Sequence, residues 1–458
     1  VIIISCPYKT TINSRVSPIY AKGGETMKIE TRFTRKKISR DGKIHMELTL
    51  VPPDEPGDKR PVCVVLAIDM SEDMGQPEKR YGFTDRFTPI MNRVHSAAYN
   101  VISELGDEDI FGCAVFNHQG YVCQELIHPV SRMVPDIKIQ VSRIEPHGGR
   151  NIEEGLRQAS LLITERAAAD YKCQIILVTC GKSQTIPKSK DSLSRICASL
   201  RERGVRVNMV GCGKGYDMHS FIEMTDAGGG RAHHVQNYEH LEEIFRREIE
   251  SLRNESARDV KIAIKSNPPM EIGINLNGYP QKDKRGRSEL SIGNLSEPLS
   301  LHFEIQRKGS KKENVQMEIS AAFKETYKRL SRKTDFHSIE IAEEKEDVTC
   351  LPYDSRVLAS WLAAFTADTI RKASINCDRC KISRIEPSLE NAKAEVASLN
   401  KVYEGAEPLL EKCCGLIDKE GKIFFDNSLG IGENKALYFE LTDILRRNSK
   451  KTIDNLYI

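Results

Sequence analysis

The stretch Val62–Gly75 reads VCVVLAIDMSEDMG. Val62–Ile68 is an unbroken apolar run, and it predicts a strand covered on both faces. The run stops at Asp69-Met70-Ser71-Glu72-Asp73, and Gly75 comes shortly after. The Asp69 and Asp73 carboxylates and the Ser71 hydroxyl at the end of a buried segment have two readings. Either they cap a strand where it reaches water, or they aim oxygen ligands at a cation.

Beyond this run, short apolar segments alternate with helical periodicity. Thr88 is an expected N-cap and Pro89 a favourable first helical residue, with Ile90, Val94, Ala97, Val101 and Leu105 on one face. Strands are expected at Ile110–Phe116, Tyr121–Ile127, Cys173–Thr179 and Val205–Gly211. Helices are expected from Asn151, with Ile152, Leu156, Ala159 and Leu162 inward, and at Ser192–Arg203 and Tyr238–Leu252. This alternation predicts an α/β unit: a doubly wound, mostly parallel sheet with helices on both faces. Such sheets bind ligands beyond the carboxyl ends of their strands, and Asp69 lies at one of those ends.

Both flanks of the unit read as β. In KIHMELTLV (Lys43–Val51), Ile44, Met46, Leu48 and Leu50 alternate with polar residues, and Arg258–Ile341 supplies further short runs between turns. The expected arrangement is a β-sandwich into which the α/β unit is inserted, followed by a helical segment from Pro352. The divisions are a tail at 1–27, a first stretch of sandwich at 28–60, the α/β unit at 61–253, the remainder of the sandwich at 254–345 and a helical region at 346–458. Linkers are expected at Asp54–Lys59, Gln281–Arg287 and Glu343–Asp347.

Over 458 residues, Lys and Arg exceed Asp and Glu by three, so bulk charge predicts neither a nucleic-acid grip nor membrane adhesion. No apolar run approaches the roughly 18–20 residues of a membrane span. The opening VIIISCPYKTT has no basic n-region and does not read as a signal peptide. Among the thirteen cysteines, Cys63, Cys113 and Cys173 lie inside apolar strands, where a thiol acts as a small core residue. That usage predicts a reducing compartment, the cytoplasm.

Asp69-Met70-Ser71-Glu72-Asp73 resembles Asp-x-Ser-x-Ser, the opening of the metal-ion-dependent adhesion site of von Willebrand factor A domains. GDEDIFGCAVFN resembles the second strand of that family, and HGGRNIEEGL its Gly-Gly-Thr-Asn segment before a helix. IILVTCGKS stands where the family has a strand ending in Thr-Asp-Gly, and the segment from Gly204 to Phe245 is similar to the closing strand–helix–strand–helix. The resemblance covers about Val62–Leu252. A looser one, carried by the sandwich and helical tail, is to a bacterial-type subgroup related to calcium-activated chloride channel regulators.

In that family, serine, threonine and aspartate oxygens hold a hard divalent ion, which prefers near-octahedral oxygen ligands. Placed on the family pattern, Asp69 and Ser71 match, Asp73 takes the second serine position, Arg150 the threonine position and Cys180 the second aspartate position. Arginine cannot be deprotonated or ligate a metal, and thiolate is a soft ligand that Mg²⁺ does not favour. The expectation is therefore a degenerate site in which Arg150 pairs with Asp69 and Asp73 in place of an ion, with no cofactor. The alternative is weak Mg²⁺ binding by Asp69, Ser71, Asp73 and water.

Other motifs are weaker. CGKSQ (Cys180–Gln184) has Ile176 where a phosphate loop needs glycine. Cys377, Cys380, Cys413 and Cys414 offer four thiols, but the second pair is adjacent rather than spaced for zinc. His147, His233 and His234 have no nucleophile motif beside them. KDKRGR (Lys282–Arg287) reads as a solvated basic turn, and Trp361 as packing in a helix. The expected function is non-catalytic: a partner protein presenting an acidic group docks on the face around Asp69, Ser71, Asp73, Arg150 and Cys180. A hydrolase or nucleotide-dependent enzyme is the reading from another class.

Overall fold

A computed structural model describes residues 27–447 apart from 40–41, 54–58, 77–88, 131, 185–191, 236, 308–312, 325–329, 343–347, 379–380, 423 and 426–430. Thr88, the linker Glu343–Asp347, all but the last residue of the linker Asp54–Lys59 and all but the last residue of the tail at 1–27 lie outside the described residues. That last tail residue, Met27, is buried in the sandwich core. The chain begins with β1 (Lys28–Phe33), β2 (Lys37–Ile38) and β3 (Lys43–Val51). The α/β unit follows: β4 (Val62–Asp69), α1 (Ile90–Glu104), β5 (Ile110–Phe116), β6 (Gly120–Ile127), α2 (Val134–Ser142), α3 (Ile152–Leu162) and α4 (Glu165–Asp170). It continues through β7 (Lys172–Gly181), α5 (Ser192–Glu202), β8 (Val205–Gly215), α6 (Met218–Gly228), β9 (Gly229–Val235) and α7 (Leu241–Arg253).

Its six strands lie in the order β6-β5-β4-β7-β8-β9, with only β6 antiparallel. All eight residues of β4 are buried because helices cover both faces. Val62, Val64, Leu66 and Ile68 share one core with α1 and α7, while Cys63, Val65 and Ala67 share the other with α3, α5 and α6. Two-residue alternation thus separates two apolar cores, which is why β4 reads as a continuous apolar run.

The chain then returns to β structure with β10 (Ala257–Asn267), β11 (Glu271–Ile272), β12 (Gln281–Lys284), β13 (Arg287–Leu295), β14 (Leu299–Gln306), β15 (Val315–Lys324) and β16 (Leu330–Ile341). Two sheets stack, β1-β3-β14-β11 and β12-β13-β10-β15-β16-β2. β14 pairs with β3 from Leu299 opposite Leu50 to Gln306 opposite Lys43, so the sandwich closes around the insertion. Ile44, Met46, Leu48 and Leu50 fill its core, as their alternation predicts. The intervening His45 and Glu47 are buried too, because α8 (Ser355–Asp378) lies over them.

After α8 come α9 (Ile385–Ser398), α10 (Glu407–Lys422) and α11 (Ile431–Arg447), which share a fourth core with Trp361 and Tyr403. The expected linker Gln281–Arg287 is instead the β12–β13 hairpin, with Gly286 at φ 67° in its turn. Lys282, Asp283, Lys284 and Arg287 are charged and exposed, so no apolar alternation announces strands within this stretch. Nor does the sequence pattern announce α2, α4 and α10. The first two are short, and in α10 the helical spacing of Leu410, Cys413 and Ile417 is obscured by the Cys413-Cys414 pair. Among the described residues, no helix is long and apolar enough to cross a membrane.

Candidate functional site

The carboxyl end of β4 delivers Asp69 to the top of the sheet, and its carboxylate organises the loops there. Asp69 Oδ1 accepts the Ser71 amide at 2.8 Å, which turns the chain sharply out of the strand into the single-turn helix Glu72–Gly75. The Met70 carbonyl accepts the His147 amide at 2.7 Å, and the Gly148 carbonyl accepts the Glu72 amide at 3.1 Å. These bonds lay the loop before α3 against the loop after β4. Gly148 makes the turn at φ 74°, which favours glycine. Asn151 then caps α3 by accepting the Glu154 amide.

Between these two anchors Arg150 sends its side chain inward. Its Nε donates to Asp69 Oδ2 at 2.5 Å, and one terminal nitrogen, Nη2, donates to Ser71 Oγ at 2.7 Å and to Asp73 Oδ2 at 2.8 Å. Nη2 also lies 3.3 Å from Cys180 Sγ, and Nη1 donates to the Lys182 carbonyl at 3.2 Å. Thr179 Oγ donates to the same Asp69 Oδ2 at 2.6 Å. Asp69 and Arg150 are buried, at 0% and 3% exposure. Gly181 makes the packing possible, because a Cβ there would stand 1.9 Å from Nη1. Burial opposes the Arg150 charge, but Asp69, Cys180 and Asp73 more than offset it and raise its pKa further. Burial, with Asp69 beside it, pushes the Cys180 thiol up to about 12.

The five residues singled out from the sequence therefore converge. Thr179, Gly181 and the Lys182 carbonyl complete the cluster; all three lie in or beside TCGK, where the family pattern points to the cysteine alone. Arg150 does not stand ready for a partner's acid, since it is almost fully covered and committed to internal acceptors. Among its two carboxylate partners the exposed one is Asp73, whose side chain is 58% accessible.

The oxygens that would ligate a divalent ion already accept hydrogen bonds from a guanidinium. An ion beside that fixed charge meets repulsion of about 4 kcal/mol per unit of ion charge at roughly 4 Å, taking an effective dielectric near 20. The donor set does not fit Mg²⁺.

The remaining candidates do not join this cluster. His147 Nδ1 lies 2.8 Å from the Glu145 carbonyl, His233 Nε2 3.0 Å from Glu248, and His234 Nδ1 2.7 Å from the Tyr216 hydroxyl. Cys413 Sγ meets Thr366 Oγ at 3.0 Å while Cys414 Sγ points to the Lys393 carbonyl at 3.8 Å, so adjacent thiols face different neighbours. Cys380 lies outside the described residues. Among the described residues no three His, Cys, Asp or Glu side chains gather to hold a metal.

Residues 64–247 match the family model of the von Willebrand factor type A domain. No curated protein matches the sequence. A von Willebrand factor type A structure from Catenulispora acidiphila superposes with a TM-score of 0.61 at 16% identity, covering 86% of this chain and 91% of that one. The ArnB paralog VWA2 from Sulfolobus acidocaldarius gives 0.57 at 12% identity, covering 93% of this chain and all of the other. The human COPII-coat protein Sec24c gives 0.52 at 8% identity, over 84% of this chain and 57% of that one. At these identities the likeness is one of fold.

Proposed function

Residues 64–247 being a von Willebrand factor type A domain, generally a protein-interaction module, we propose that this protein docks a partner protein on the face around Asp69, Ser71, Asp73, Arg150 and Cys180, without a metal bridge and without catalysis. The observation that carries the reading is the Arg150 guanidinium set among Asp69, Ser71 and Asp73. It stabilises the loops that a bridging ion would otherwise hold. The partner meets the rim, where Glu72, Asp73 and Lys182 are at the surface. An acidic group on the partner pairs with Lys182, or reaches Arg150 by displacing Asp73.

Two features support a non-catalytic role. The Cys180 thiol, pushed up to about 12, stays protonated at neutral pH and is a poor nucleophile. Ser71 Oγ accepts from Arg150, which cannot act as a general base. Buried thiols at Cys63, Cys113 and Cys173 support the cytoplasm as its compartment.

Titration calorimetry of the intact chain with Mg²⁺, Mn²⁺ and Ca²⁺ tests the metal-free reading. The expected result is no saturable heat for the natural sequence, and a gain of binding when Arg150→Thr is combined with Cys180→Asp. Saturable binding by the natural sequence that disappears in Asp69→Ala would overturn it. For the docking reading, affinity capture should survive chelator and fall in Lys182→Glu. Capture that chelator abolishes, or that the Lys182 change leaves untouched, would move the interface elsewhere.

A further inference from the structure

The face of the β3–β14 pair that α8 covers holds two imidazoles and two carboxylates. His45 and Glu47 alternate along β3, and the register sets Glu304 opposite His45 and His302 opposite Glu47. Each histidine therefore faces an acid across the strands: His45 Nε2 lies 3.7 Å from Glu304 and His302 Nε2 3.7 Å from Glu47. Both histidines are fully buried.

The helical region closes over this patch with its own polar groups. Tyr403 places its hydroxyl 2.8 Å from His45 Nδ1, and Ser360 its Oγ 2.7 Å from His302 Nε2 and 3.2 Å from Glu47. The Trp361 ring lies 4.1 Å from that of His45. Yet the cover is incomplete in its bonding. His45 Nε2, Glu304 Oε2, His302 Nδ1 and Trp361 Nε1 are all buried without a hydrogen-bond partner among the described residues. Such groups carry a desolvation penalty that is relieved when water reaches them.

We propose that this patch is an acid-sensitive latch: protonation of His45 loosens the helical region from the sandwich. The charges around it set the direction. Burial lowers the His45 pKa, and Lys43 on its own strand adds to that, while Glu304 pulls the other way and does not prevail. Lys43 is itself tied to Glu304 at 2.9 Å. The Arg35 guanidinium lies 4.9 Å from the centre of the Tyr403 ring and adds further positive charge. On the acid side, Glu395 of α9 stands near Glu304 with Lys372 of α8 close by, and Arg32 of β1 lies opposite Glu47.

The docked form thus holds His45 neutral, and the loosened form binds a proton more readily. Acidification through the histidine range favours loosening. The carboxylates push the same way at lower pH. Burial opposes ionisation of Glu47 and Glu304, but His302 and His45 respectively lead the opposing effects and hold both pKa values below the usual range. Their contribution to the docked form is lost as pH falls through those lowered values.

Trp361 is the one tryptophan of the chain, so its emission reports on the latch directly. The intact protein is titrated from pH 8 to 4.5 while emission and hydrogen exchange of α8 are followed. Quenching, a red shift and faster α8 exchange should share a reversible midpoint below about 6.5, the ordinary histidine value. His45→Gln should remove this transition, and Glu304→Gln, which withdraws a group that favours a charged His45 in the docked form, should move it to higher pH. An unchanged profile in His45→Gln, or quenching at constant wavelength with α8 still protected, would overturn the proposal. Should His45→Gln fail to fold, an unmoved midpoint in Glu304→Gln would overturn it instead.

Discussion

Two buried polar clusters sit at opposite ends of one design choice. On top of the α/β unit, Arg150 reaches two carboxylates, a hydroxyl, a thiol and a carbonyl, and Thr179 adds a second donor to Asp69 Oδ2. Beneath α8, the His–Glu patch leaves His45 Nε2, His302 Nδ1 and Glu304 Oε2 without a hydrogen bond among the described residues. A cluster built on arginine keeps its charge at any ordinary pH, while one built on histidine is set near the edge of its charge change. Burial alone therefore does not say whether a polar group holds the fold together or lets it respond. The completeness of its bonding and the chemistry of its cation decide.

The contrast breaks most violently if the guanidinium is removed. Arg150→Met would leave Asp69 buried opposite no cation, and losing one member of such a pair costs about 3–5 kcal/mol. Hydrogen exchange of β4 and β7 measures the loss where it occurs. Adding Asp69→Asn should return a substantial share of it, since the stranded charge goes too. A single variant as stable as the natural chain would mean that the cluster is ornamental.

Gly181→Ala attacks the same lock by crowding. A methyl 1.9 Å from Nη1 forces the guanidinium to shift, and overpacking of this kind costs about 1–3 kcal/mol. A lowered melting midpoint, with Glu72–Gly75 exchanging faster, is the expected outcome. This glycine also marks the limit of what the sequence pattern conveys. The Asp69-x-Ser71-x-Asp73 pattern, Arg150 and Cys180 are legible because their spacing follows a strand end and two loops. The pairing of Arg150 with Asp69 and Asp73 follows from that register, but how fully the side chain is covered does not, since residue type says nothing about whether neighbouring glycines admit it.

The fold shows the same division. β4 and the inward positions of β3 are legible from apolar periodicity, which burial on known faces imposes. His45 and Glu47 belong to the opposite face, and only the distant α8 determines that water does not reach it. The pH response sharpens this point. Between pH 7 and 5 the top cluster should keep its exchange protection because the Arg150 charge persists, while α8 loses protection progressively, by at most about 1.4 kcal/mol for each unit by which the His45 pKa differs between docked and loosened forms. Equal responses in the two regions would erase the distinction drawn between them.

The smallest effect belongs to the outer half of the lock. Asp73 pairs with Arg150 at 2.8 Å, but its side chain is 58% exposed and its charge is screened by water. Pairs of that kind contribute about 0–1 kcal/mol. Asp73→Ala leaves Nη2 bonded to Ser71 and Nε to Asp69, so the melting midpoint should scarcely move. The variant therefore separates stability from recognition: its fold stays intact while the surface offered to a partner loses a carboxylate and uncovers some of a cation. If Asp73→Ala instead destabilises the chain as much as Arg150→Met, the exposed pair holds the loops, and a partner could not displace it without unfolding the site it binds.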